Sequence, residues 1–217
     1  MRPDTDIKRD VEAELRWTPE VDETDIAVSV HGGTVTLTGF VRSAFEKYRA
    51  ERAARRIKGV AAVANDIEVR WLGSPATDPE IARAAVAALE RDMPAICAQI
   101  RPMVHEGRVT LLGEVEWHYQ RELAESLVRQ LHGVVSVRNS IHIKPRAAAE
   151  KDVKQRIEAA FRRLAQMDAD QIAVEAAGSE ITLRGEVRSW AERDQALSTA
   201  WAAPGVTNVK SELTVRT

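Results

Sequence analysis

Gly33-Thr-Val-Thr-Leu-Thr-Gly39 returns as Gly107-Arg-Val-Thr-Leu-Leu-Gly113 and again as Ser179-Glu-Ile-Thr-Leu-Arg-Gly185, at offsets of 74 and then 72 residues. A second landmark keeps the same offsets: Gly59-Val60, Gly133-Val134 and Gly205-Val206. Two landmarks at one spacing mark an internal repeat. The chain of 217 residues divides into units at 4–69, 78–143 and 150–215. The segments between them, 70–77 and 144–149, each contain proline and read as short, stiff spacers.

Working outward from the glycine strand, each unit predicts helix, strand, strand, helix, strand. The first helix carries apolar residues at i, i+4 and i+8: Ile7/Val11/Leu15, Ile81/Ala85/Leu89 and Val153/Ile157/Phe161. Asp78-Pro79 reads as a cap followed by proline at the first helical position. Alternation then predicts two strands, Ile26/Val28/Val30 followed by Val35/Leu37/Gly39/Val41 in the first unit. Gly39, Gly113 and Gly185 fall on the core face, where a glycine lets a helix approach or kinks the strand. Ser43-x-x-Glu46 and Ser189-x-x-Glu192 are capping-box patterns opening the second helix. Gly59, Gly133 and Gly205 read as the left-handed residue closing it. The last strand alternates Val63/Asn65/Ile67/Val69, with Asn139 and Ser211 in the place of Asn65 in the other units. That polar member is expected to bond backbone locally.

A helix between the second and third strands implies that they run parallel. The fold class is therefore α+β: three tandem αββαβ units, each a small mixed three-stranded sheet with two helices on one face. Pro102 cannot donate a ladder bond, so the first strand is expected at an edge, in order 1-2-3. A unit this small buries only about 60% of its unfolded surface, which favours packing between units or oligomerisation.

Lys plus Arg number 31 against 33 Asp plus Glu, so a globally basic nucleic-acid binder is disfavoured. Cys97 is the single cysteine, which excludes an internal disulfide or a multi-cysteine metal site; it reads as a buried structural thiol. No stretch approaches the ~18 apolar residues of a membrane span. No signal peptide is visible at residues 1–6, so the expected compartment is the cytoplasm, or the periplasm if a leader has been removed. No nucleophile elbow, phosphate loop or metal-ligand helix occurs. His31 and His105 share one hairpin position, which reads as an exposed turn residue copied by duplication. The acidic run 20–25 lacks calcium-loop spacing and reads as a solvated loop. No catalytic residue, metal or cofactor is expected. Trp117 and Trp190 are expected to close the end of a core, and Trp71 to pack on a neighbouring unit.

One segment stands out chemically. Arg42, Lys47, Arg49, Arg52, Arg55, Arg56 and Lys58 face only Glu46 and Glu51, an excess of five positive charges. At about 100° per residue, Arg49, Arg52 and Arg56 lie opposite the alanines, with Phe45, Tyr48 and Arg55 beside them. Three readings stay open: a solvated face that meets the acidic loop or another unit, a contact with anionic lipid, and a contact with nucleic acid or another polyanion.

The run Val35–Val41, an alanine-rich helix, then Gly59-Val60, Val63, Asn65, Ile67 and Val69 resembles the BON domain, named for bacterial osmotic-stress and nodulation proteins. The second unit matches at Val109–Val115, Gly133, Val134, Val137 and Asn139. The third matches at Ile181–Val187, Gly205 and Val206, with Ser211 in place of asparagine. The resemblance implies a non-catalytic, stress-related module that associates with phospholipid membranes or partner proteins, with the six glycines as fold determinants. The expected function is attachment to anionic phospholipid through Phe45, Tyr48, Arg49, Arg52, Arg55 and Arg56. The alternative is a protein–protein adaptor or self-associating scaffold, and homo-oligomerisation is open.

Overall fold

A computed structural model describes residues 2–71, 73, 76–144, 152–164 and 171–216. The spacer residues 72, 74, 75 and 145–149, and position 150 where the third unit was expected to begin, lie outside them. The first repeat comprises α1 (Asp4–Trp17), β1 (Ile26–His31), β2 (Thr34–Val41), α2 (Ala44–Arg55) and β3 (Ala62–Val69). The second comprises α3 (Asp78–Asp92), β4 (Ile100–His105), β5 (Arg108–Val115), α4 (His118–Arg129) and β6 (Ser136–Ile143). The third comprises α5 (Val153–Arg163), β7 (Ile172–Ala177), β8 (Glu180–Val187), α6 (Trp190–Trp201) and β9 (Asn208–Val215). By contacts the chain falls into two compact units, 1–113 with 121–141, and 114–120 with 142–217.

Three α+β repeats with the expected strand order result: β1-β2-β3, β4-β5-β6 and β7-β8-β9. β1 and β2 are antiparallel while β2 and β3 are parallel, and β7, β8 and β9 repeat that pattern. Pro102 lies on β4, an edge strand, where its missing N–H costs no ladder bond. In the first repeat Ile7, Val11 and Leu15 of α1 and Ala50, Ala53 and Ala54 of α2 meet Val28, Val35, Leu37 and Ile67 of the sheet. Ile157 and Phe161 of α5 do the same against Ile181, Leu183 and Leu213. The small side chains on α2 let that helix lie close to the strands.

Several local expectations are corrected. The expected cap Asp78 is the first residue of α3; Thr77 precedes it, donating from its backbone N–H and hydroxyl to Glu80, both at 2.8 Å. Asp78 instead accepts from Glu106 and Gly107 backbone N–H groups, both at 2.9 Å, in the hairpin turn of its own repeat. Asp4 does the same to Gly32 and Gly33 at 2.8 and 3.0 Å. A carboxylate at the helix start thus staples the hairpin to the helix. α2 ends at Arg55, so Gly59 is not its closing residue; it lies in the following turn at φ +93°, against Ile7 of α1. Gly133 likewise faces Ile81 of α3. Close approach of a helix therefore occurs at these glycines. At Gly39, Gly113 and Gly185 the close neighbour is the carbonyl of Asp25, Gln99 and Gln171, just before the edge strand. Cys97 is half-buried, not buried, with its Sγ 3.5 Å from the Pro94 carbonyl.

The staples carry a pH signature. Backbone hydrogen bonds from Gly33 and then Gly32 hold the Asp4 carboxyl below its ordinary 3.8, and those from Gly107 and Glu106 do so for Asp78. A carboxyl depressed on folding stabilises above its unfolded value and loses that contribution as pH falls through the folded one. Asp4→Asn and Asp78→Asn should therefore lower the urea midpoint at pH 7, with the gap to the parent closing as pH falls below 3.8. A gap that stays constant across that range would refute the staple.

Candidate functional site

The basic segment is placed by its cap. Ser43 Oγ accepts from the Glu46 N–H at 3.0 Å, while the Glu46 carboxylate accepts from Arg42 and Asp22 N–H groups at 2.9 and 2.7 Å. Ser43 thus caps α2 as expected, while Glu46 reaches the Arg42 and Asp22 N–H groups instead of the Ser43 N–H of a full capping box; the cap fixes the first turn, and Phe45, Tyr48, Arg49 and Arg52 share one stripe at i, i+3, i+4 and i+7. α4 starts differently. Trp117 stands where α2 has Ser43, and the Gln120 side chain accepts from Glu116 and Trp117 N–H groups, both at 3.0 Å. The α4 stripe is Glu122, Glu125, Ser126 and Arg129.

The two stripes line a crevice of about 370 Å³ within the first compact unit. The Arg129 guanidinium lies 4.0 Å from the centre of the Tyr48 ring and pairs with Glu125. Glu125 also accepts from Asn139 Nδ2 at 3.0 Å; that amide donates to the Arg121 carbonyl at 2.9 Å and accepts from Ile141 N–H at 3.2 Å. A continuous chain of contacts therefore runs from α2 through Tyr48, Arg129, Glu125 and Asn139 to β6. Arg49 pairs with Glu20 at 2.7 Å, and its buried Nε has no hydrogen-bond partner among the described residues. Burial, then repulsion from Glu125, pushes the Glu122 carboxyl up, while Arg121, Arg129 and Arg52 pull it down. The lining holds two hydroxyls, those of Tyr48 and Ser126, and neither histidine nor cysteine. It offers charge and stacking, not a nucleophile beside a base. Among the described residues no cluster of three His, Cys, Asp or Glu could hold a metal.

The structure brings four of the six expected lipid contacts together, Phe45, Tyr48, Arg49 and Arg52, and turns them toward α4. Arg55 and Arg56 stand apart, pairing with Glu51 at 2.6 Å and Glu14 at 3.6 Å. Arg42 pairs with Asp22 at 3.6 Å. Counting Glu14, Glu20 and Asp22 with Glu46 and Glu51, the excess of five charges falls to two. The acidic loop thus meets the basic helix, as one of the three sequence readings has it. Trp71 packs edge-on against His132 at 4.9 Å, and His31 and His105 are exposed. Trp117 is 36% exposed, while Trp190 is half-buried with Arg193 5.1 Å from its ring.

Trp17 is the residue that sequence reasoning missed. It ends α1 at 83% exposure, the most exposed large apolar side chain among the described residues. The signal was present: Leu15 ends the buried stripe, and two residues further round the helix is about 200° away. In sequence Trp17 falls between Glu14 and Glu20, which pair with Arg56 and Arg49 of the α2 segment. No described helix is long and apolar enough to cross a membrane.

Comparison with known proteins adds a family. A BON domain profile matches residues 3–70, 77–145 and 147–217. Osmotically-inducible protein Y of Escherichia coli (strain K12) is 31% identical over 150 residues, covering 65% of this chain and 73% of that protein. CdsD, a structural protein of the type III secretion system of Chlamydia trachomatis, aligns over 97% of this chain and 92% of its own at 15% identity, with a TM-score of 0.28. A C-terminal domain structure of CdsD aligns over 100% of both chains at 15% identity and a TM-score of 0.26.

Proposed function

Because the chain belongs to the BON domain family, we propose that it is a non-enzymatic, stress-related adaptor that holds a protein partner at the outer face of α1. The stress assignment follows the likeness to osmotically-inducible protein Y. The observation that carries the adaptor reading is Trp17, left outside a repeat whose other large apolar side chains are mostly packed. A large, rigid, half-apolar side chain is the residue type that dominates protein interfaces. The basic stripe of α2 supports this reading indirectly, since it is engaged within the chain. At roughly 1 kcal/mol per basic side chain near an anionic surface, an excess of two charges gives weak attachment.

The lipid reading keeps one specific support. Trp17 follows Arg16 at the end of α1, and Arg56 pairs with Glu14 one turn earlier; tryptophan on a helix that carries basic charge suits a membrane–water boundary. The two readings separate in one experiment. A photo-crosslinking residue is placed at exposed Ala13, one turn from Trp17, in osmotically stressed cells, with and without Trp17→Ala. Purified chain is floated in parallel with zwitterionic and phosphatidylglycerol vesicles. The adaptor reading expects a discrete protein crosslink that Trp17→Ala removes, although that exposed change alters stability by under ~0.5 kcal/mol. It also expects no flotation at physiological salt. Salt-sensitive flotation with anionic vesicles only, lost in Trp17→Ala, would replace it with the lipid reading.

A further inference from the structure

The three sheets share a topology, yet their solvent faces carry different charge. Period-two alternation puts Arg101, Met103 and His105 of β4 on the face opposite the core, with Arg108 and Leu112 of β5 and Arg138 of β6. Arg101, Arg108 and Arg138 are exposed and make no ion pair among the described residues. The one carboxylate on that face, Glu114, is paired with Lys144 at 3.1 Å. Met103 stands among these arginines at 60% exposure, directly opposite Thr110.

The third repeat inverts the sign. Glu175, Glu180, Glu186 and Glu212 point outward against Arg184 and Lys210. Arg184 is held between Glu175 and Glu212 at 2.7 and 2.6 Å, and Lys210 joins Glu212 at 2.6 Å. Glu180 and Glu186 are exposed and have no ion pair among the described residues. The first sheet carries Thr34, Thr36 and Thr38 on its central strand and Asp66 and Glu68 on β3, with Glu68 paired to Arg70 at 2.8 Å.

We propose that the arginine face of the second sheet docks on the glutamate face of the third sheet of another copy of this chain. Opposite charge on two flat faces of one fold gives the complementarity, and Met103 supplies an apolar centre. The contact is heterologous, so it propagates into open chains or closes into a ring. It involves surfaces other than Trp17 and stands or falls separately from the adaptor reading. Three strands about 4.8 Å apart give a face of only a few hundred Å², so the association is weak and steep in salt.

Sedimentation velocity on the full chain tests it with two charge-reversed proteins. One carries Arg101→Glu, Arg108→Glu and Arg138→Glu; the other carries Glu180→Lys and Glu186→Lys. The parent's weight-average mass should rise about 1.5- to 2-fold between roughly 10 and 500 µM at low salt, and stay monomeric at high salt. Each reversed protein alone should stay monomeric, with circular dichroism unchanged. Mixing the two restores opposite faces and should restore association. A parent that is monomeric at every concentration at low salt, or a mixture that fails to regain association lost in both variants, overturns the proposal.

Discussion

Gly113→Ala is expected to unfold the second repeat or cost it about 3–5 kcal/mol, with Gly39→Ala and Gly185→Ala doing the same to the first and third. Two effects add at each site. The backbone there has φ of +136° at Gly113, +117° at Gly39 and +134° at Gly185, a region closed to side chains. A Cβ would also fall closer than 3.0 Å to the carbonyl oxygen of Gln99, Asp25 or Gln171, and backbone cannot swing aside as a flexible side chain can. Strain of roughly 1–3 kcal/mol and overpacking of about the same size exceed what a repeat this small can spare. Urea melts followed by circular dichroism would check this, with Gly178→Ala as the comparison. Gly178 also has positive φ, but at +63° it lies in the left-handed well that side chains can enter, and nothing lies within 4 Å of its Cβ position, so its loss should be the smaller, about 1 kcal/mol. Equal losses at Gly178 and Gly113 would show that the carbonyl contact contributes nothing.

The same glycines show what the sequence made legible. Their period and identity were plain because the pattern occurs three times, and the fold class followed from it. Their reason was not, because the neighbour is a carbonyl fourteen residues upstream, which alternation cannot locate. The crevice behaves similarly. The helical wheel put Phe45, Tyr48, Arg49 and Arg52 on one stripe, but not what the stripe faces. Glu20 lies twenty-nine residues from Arg49 and the Tyr48 partner Arg129 lies in another repeat, so the sequence leaves open whether the basic excess is solvated, meets the acidic loop or another unit, or binds a polyanion. The helical period that buries Leu15 also turns Trp17 outward, but no motif surrounds Trp17 in the sequence.

Asn65→Ser should cost about 1–3 kcal/mol, and adding Glu51→Leu should return about 1 kcal/mol of it. Asn65 Nδ2 donates to the Lys47 carbonyl at 3.2 Å and to Glu51 at 3.1 Å, and its Oδ1 accepts from Ile67 N–H at 3.3 Å. One amide thus ties β3 to α2 through both a backbone and a charged acceptor, and the second repeat repeats the arrangement at Asn139. The third repeat has taken a different solution. Ser211 stands in the asparagine position, and its buried Oγ finds no partner among the described residues. The glutamate position is Leu197, which packs against the core of that repeat. The two changes belong together physically: a serine is too short to reach the helix, and a half-buried carboxylate left without its amide is costly, whereas leucine leaves nothing to satisfy. The single change Asn65→Ser leaves Glu51 deprived of one partner, and the double change copies the third repeat's pairing. A double-mutant cycle read by urea denaturation measures the coupling. Additive losses would mean that the amide and the carboxylate act independently, and the serine–leucine pair of the third repeat would then have no energetic connection.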